Sequence, residues 1–153
     1  MKATVTAIAV SAVLGLGAAT GQVAADPGYE RQVITLTNQE RAAHGCGALT
    51  QHGALTGAAR AHSSDMATRN EMTHTGANGS DAGDRVKQAG YPARQWAENI
   101  AYGQATPQEV VDAWMNSSGH RANILDCGLT EIGVGHVVNE QGVPYWTQDF
   151  GTR

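Results

Sequence analysis

The sequence is poor in aromatic and charged residues and has almost no cysteine: Phe, Trp and Tyr make up 5% of its 153 residues, charged residues 16%, and there are two cysteines. Two cysteines cannot build a four-thiolate metal site, and no Cys-x-x-Cys occurs. Acidic residues outnumber basic ones, fourteen to ten, which argues against non-specific binding of nucleic acid, since that needs phosphate neutralisation by Lys and Arg. The shortage of aromatics gives a lipid- or sterol-carrying groove little support. No His-Glu-x-x-His and no Gly-x-Ser-x-Gly is present, so the local spacing of a dedicated zinc or serine hydrolase is missing. There is no internal repeat and no low-complexity linker. The length suits one domain.

One apolar stretch does occur, at the N-terminus. Lys2 supplies a positive start, Ala3 to Ala19 run apolar and small, and Val23-Ala24-Ala25 offers small residues before Asp26-Pro27. This is the anatomy of a secretory signal peptide over residues 1–25, cleaved after Ala25. It is too short and too broken by Thr, Ser and Gly for a retained span of roughly 20 apolar residues. Nothing later is long or apolar enough to cross a bilayer. The mature domain is therefore expected over residues 26–153, secreted and extracellular. Without Lys2 it keeps nine basic against fourteen acidic residues, a net charge of −5.

Export puts Cys46 and Cys127 in an oxidising compartment, where a disulfide is the default expectation. Both lie in turn-like settings, Gly45-Cys46-Gly47 and Asp126-Cys127-Gly128, which suit a staple better than the alternative of an activated thiolate. Closing a loop of about 80 residues is worth roughly 4 to 5 kcal/mol in the chain-entropy model.

Helices are predicted from about Tyr29 to His44, stopped by glycines, and from Leu55 to Asn70, where Leu55, Ala59, His62 and Met66 share one face. Gly76 to Gly83 reads as a loop and Asp84 to Ala89 as a short helix. Thr106-Pro107-Gln108-Glu109 is a capping box with proline in the first turn, opening a helix with Val110, Val111 and Trp114 on its apolar face. Two strands close the chain, Ile132–Val138 and Tyr145–Phe150, joined by a turn at Asn139 to Gly142. Helices first and strands last predict an α+β layer fold. Trp96, Trp114 and Trp146 read as core residues rather than ligand platforms, and His62 as a hydrogen-bonded core histidine.

Several motifs occur together and in order: Ala61-His62-Ser63-Ser64-Asp65-Met66-Ala67, Thr73-His74-Thr75, Glu98-Asn99-Ile100-Ala101, Trp114 through Leu125 with Gly119-His120-Arg121-Ala122-Asn123-Ile124-Leu125, and Thr130-Glu131-Ile132-Gly133-Val134-Gly135. Together they resemble the bacterial branch of the CAP superfamily, relatives of the cysteine-rich secretory proteins, antigen 5 and plant pathogenesis-related proteins. The likeness runs from about Tyr29 to Gly151. It implies a three-layer α-β-α sandwich with a central antiparallel sheet and a cleft lined by His and Glu.

His74 and Glu98 match the family positions directly. The eukaryotic His-Tyr-Thr-Gln element is absent, and His120 and Glu131 are the residues chosen for the second imidazole and second acid. Two imidazoles and two carboxylates form a candidate divalent-metal site, zinc being the best match, with Glu98 or Glu131 as a candidate catalytic base. Each residue also has a structural reading: His74 as a turn residue, Glu98 holding loop amides, His120 anchoring a tight turn, and Glu131 pairing with Arg121. The function expected from the resemblance is an extracellular binding module that takes up a divalent metal. The alternatives are a metal-assisted hydrolase of peptide or another extracellular polymer, and a lipid or sterol binder.

Overall fold

The structure is a computed structural model that describes residues 25–153; the signal-peptide reading falls almost wholly outside the described residues. The first helix, α1 (Pro27–Ala43), starts where Asp26 accepts the backbone N–H groups of Gly28 and Tyr29, with Pro27 in the first turn. A two-residue strand β1 (Thr50–Gln51) leads into α2 (Gly53–Arg69). Asn70 ends α2 in the left-handed conformation, which Asn tolerates. Helix α3 (Ala82–Gln88) is opened by a reciprocal Asp81–Asp84 capping box. Then follow β2 (Gln95–Tyr102), α4 (Pro107–Met115), α5 (Ser118–Ile124), β3 (Glu131–Val138) and β4 (Pro144–Thr152). The Thr106 side chain caps α4 by accepting the N–H of Glu109, but the Glu109 carboxylate accepts from Ala105 rather than from Thr106, so the predicted capping box closes on one side only.

The strand order is β1-β3-β4-β2. The three long strands are antiparallel, and only the short β1 runs parallel, beside the start of β3. The described residues thus form an α+β sandwich of five helices around a mixed four-stranded sheet. Alternation along the strands assigns the two faces. Ile132, Val134, Trp146, Phe150 and Ala101 pack with Val33 of α1, Val110, Val111 and Trp114 of α4, and Ile124 of α5. On the opposite face, Val137, Tyr145 and Ile100 pack with Met66 and Ala67 of α2.

The α2 layer lies unusually close to the sheet because β3 reads Gly133-Val134-Gly135. A Cβ on Gly133 would collide with the backbone of Leu55 and Thr56, and one on Gly135 with that of Ala59 and Arg60. Glycine is required here by contact with a neighbouring backbone, which has no rotamer with which to yield.

At the other end, Cys46 and Cys127 are joined, with Cα atoms 5.0 Å apart. Beside them the fully buried Arg41 donates to the carbonyls of Gly47, Ile124, Asp126 and Leu129. The disulfide and Arg41 together fasten the end of α1 to the segment between α5 and β3.

Gly133→Ala should lower the free energy of unfolding by about 1–3 kcal/mol, because the clash is with main chain. Gly57→Ala on α2, whose Cβ would meet nothing within 4 Å, should raise it by about 0.5–1 kcal/mol. Equilibrium urea denaturation of the two variants measures both, and equal effects would contradict the close-approach account.

Candidate functional site

Strand β2 carries two adjacent polar residues that point to opposite faces of the sheet, and both are buried. Glu98 faces the α2 and α3 side. Its Oε1 accepts from His74 Nδ1 at 2.7 Å and its Oε2 from an Arg85 guanidinium nitrogen at 2.7 Å. Burial alone would raise the Glu98 pKa, but the His74 hydrogen bond, the nearby His62 and Arg85 hold it below the usual carboxylate value. Arg85 also donates to the carbonyls of His74 and Ser80. One guanidinium therefore fixes the loop, the histidine and the acid. His74 itself is 58% exposed, and with Nδ1 turned inward its Nε2 is left for the cleft.

Asn99 faces the α1, α4 and α5 side. Its amide donates to the backbone carbonyl of His120 and to Gln148 Oε1, each at 3.1 Å, and its oxygen accepts from Asn123 at 2.8 Å. Gln148 passes the network on to Thr37 of α1 at 2.7 Å. This chain of amides holds α5 against β2, and with it Asn123 of the cleft lining. His120 is half-buried, and its pKa is lowered chiefly by burial.

His74 and Glu98 are in direct contact, and His120 lies close enough to feel His74. Glu131 is elsewhere. Glu98 is in register with Asp149 and Asp149 with Gly133, so Glu131 is two residues and two strands away, roughly 12 Å at sheet spacings. Its carboxylate accepts from Tyr91 Oη at 2.6 Å and pairs with Arg153 at 2.8 Å, not with Arg121 as the structural reading had it. Burial and the hydrogen bond to Glu131 push the Tyr91 hydroxyl above its usual pKa. His62, fully buried, donates from Nε2 to the Thr73 carbonyl at 2.9 Å and stands 3.9 Å from Glu98. Burial lowers its pKa, against the opposing pull of the Glu98 charge.

Two residues of the site were not expected from sequence. Asp149 is buried opposite Glu98, with no hydrogen-bond partner of normal geometry on either oxygen. Trp96 was expected in the core but is 42% exposed. Its indole packs on Gly83, where any Cβ would strike the ring. With His74, Asp81, Glu98 and Asn123 it lines a cleft of about 330 Å³. The signal in the sequence was the i, i+2 spacing of Trp96 and Glu98, which shares one face only if the segment is a strand.

Burial, and then the charge of Glu98, raise the Asp149 pKa well above its ordinary 3.8 and keep it protonated. The folded chain thus holds a proton that the unfolded chain releases as pH rises, so Asp149 lowers stability with rising pH. Glu98 has the opposite sign, contributing stability that is present above its ordinary 4.5 and lost as pH falls. Asp149→Asn removes the first effect. Its stability relative to the parent should climb from about pH 4 towards pH 7 in urea titrations across that range; a pH-independent difference would contradict a protonated Asp149.

The family model for the CAP, cysteine-rich secretory protein family matches residues 34–150. An uncharacterized protein of Bacillus subtilis, YkwD, is 46% identical over 122 residues, 80% of this chain and 46% of the relative. An uncharacterized membrane protein of the same organism, YlbC, is 34% identical over 81% of this chain and 34% of its own length. The chain therefore spans less than half the length of these curated relatives. Among solved structures, an extracellular SCP-domain protein of Bacillus anthracis superposes with TM-score 0.75 at 29% identity, covering 82% of this chain and 41% of that one. An outer surface protein of Borrelia burgdorferi gives TM-score 0.79 at 18% identity, over 86% and 98%, and so speaks for the fold alone. From the ordered motifs, the α-β-α layering and the family match together, the chain belongs to the CAP family of cysteine-rich secretory proteins.

Proposed function

We propose that this chain is an extracellular binding module whose ligand sits in the cleft between α3 and β2, against His74. The observation that carries this is the clamp on Glu98. A buried carboxylate held by His74 on one oxygen and Arg85 on the other fixes an imidazole whose outer nitrogen faces a small cleft. Sites of this kind are concave, with a few polar groups held in advance by their neighbours. The disulfide and the extracellular Bacillus anthracis relative support a location outside the cell.

The four-ligand metal site fits this geometry poorly. Both oxygens of Glu98 are engaged, Glu131 is tied to Tyr91 and Arg153, and the described residues hold no group of three or more His, Cys, Asp or Glu placed around one point. The same clamps weaken Glu98 and Glu131 as catalytic bases, because both carboxylates are held below their usual pKa. A sterol groove has little support either, since Met72, Trp96 and Tyr102 are the large apolar side chains exposed among the described residues.

The test is a fragment screen by protein-observed NMR, using small sugars, amino-acid amides and alcohols, alongside a peptide-hydrolysis assay with and without chelator. Binders should shift the amides of His74, Asp81, Trp96 and Asn123, with no turnover above buffer. Shifts centred on another face would defeat the binding reading. Chelator-sensitive hydrolysis lost in Glu98→Gln would favour the metal-assisted hydrolase instead.

A further inference from the structure

Trp96 differs from the two other tryptophans. The indole N–H groups of Trp114 and Trp146 donate to the carbonyls of Ile100 and Gln104, and both rings are buried in the sheet's core layer. The Trp96 N–H makes no hydrogen bond among the described residues, and the ring is not buried. It is nevertheless held in place, because it rests on Gly83 at the start of α3, where the missing Cβ leaves room for the indole. An apolar plate fixed on one side and open on the other is a stacking surface.

The polar atoms around this plate are mostly acceptors. His74 has its Nδ1 committed to Glu98, which leaves Nε2 as the outer nitrogen. Asn123 has its amide N–H groups committed to the Glu98 carbonyl and to Asn99, which leaves Oδ1. Asp81 uses Oδ1 for the Asp84 N–H, which leaves Oδ2. The field is close to balanced, since the charge of Glu98 is met by Arg85 and Asp81 is exposed to solvent screening. A matching ligand has a flat apolar face and a rim of hydroxyl donors, and needs no charge.

We propose that the cleft binds a neutral carbohydrate, with one sugar ring stacked on Trp96 and its hydroxyls donating to His74, Asn123 and Asp81. A pyranose ring has this shape: C–H groups crowd its faces and hydroxyls lie around its edge. The inference rests on the cleft reading given above and names the ligand class for it. The chief rival is a cationic peptide side chain over the same indole, with Asp81 as its counter-charge. That rival draws on one exposed carboxylate, whereas the sugar uses the plate and all three acceptors.

The experiment is a calorimetric titration of the mature chain with chitotriose, cellotriose and trilysine, repeated at low salt and at about 0.5 M NaCl. Intrinsic fluorescence is followed in parallel, because Trp114 and Trp146 are buried and a response on binding reports Trp96. At least one neutral oligosaccharide should bind with little salt dependence. Trp96→Ala should weaken it roughly fivefold to tenfold and Trp96→Phe less. Gly83→Ala, which displaces the indole without touching the acceptors, should weaken binding as well. Trilysine binding that fades with salt, with no sugar bound, would overturn the proposal in favour of the cation. No binding of either oligosaccharide at millimolar concentration, or binding unchanged in Trp96→Ala, would also overturn it. In those cases the fragment map still decides separately whether the cleft is a binding site.

Discussion

A carboxylate placed inside a protein must be met by hydrogen bonds, or burial drives it to its neutral form. Glu98 is met twice, by His74 and by Arg85, and the geometry around the cleft follows from that requirement. Arg85 is on α3 and also holds two carbonyls of the loop between α2 and α3. His74 comes from that loop. Satisfying one acid therefore draws a helix, a loop and a strand together and leaves an imidazole edge at the surface. Behind Glu98 sits Asp149, which escapes the same cost by staying protonated.

The two faces of β2 divide the work. Glu98 organises the α2–α3 side, while Asn99, one residue on, organises the other through Gln148, Thr37, His120 and Asn123. Both layers must press closely on the sheet for these bonds to form. The glycines of β3 let α2 approach, and the disulfide with Arg41 keeps the opposite layer in place. The polar site thus depends on apolar packing and on glycine positions well away from the cleft.

Much of this was legible in the sequence. The cap at Thr106, the periodicity of α2 and the alternation of β3 carried the layer fold, and the two cysteines in turn-like settings carried the staple. The motifs pointed to His74 and Glu98, which do meet. Strand β2 was not legible, because its inward positions include Glu98 and Asn99 and it lacks the polar–apolar alternation of a half-buried strand. Helix α5 begins with Ser118 and Gly119 and is seven residues long, too short for periodicity to declare it. Glu131 was misassigned because sequence gives no hint that Tyr91 and Arg153 reach it first. Trp96 read as core because tryptophans usually are; its exposure follows from the edge position of β2 and from Gly83 beneath the ring.

On this reading the Glu98 carboxylate and the Arg85 guanidinium act as one unit on which the cleft is built. A double-mutant cycle with Glu98→Gln, Arg85→Gln and the double variant, read by urea unfolding at neutral pH, tests it directly. Each single change should destabilise strongly, because each leaves a buried charge without its partner. The double variant should then be more stable than additivity allows, by about 1–3 kcal/mol. Additive effects, with no coupling between the two residues, would contradict the account.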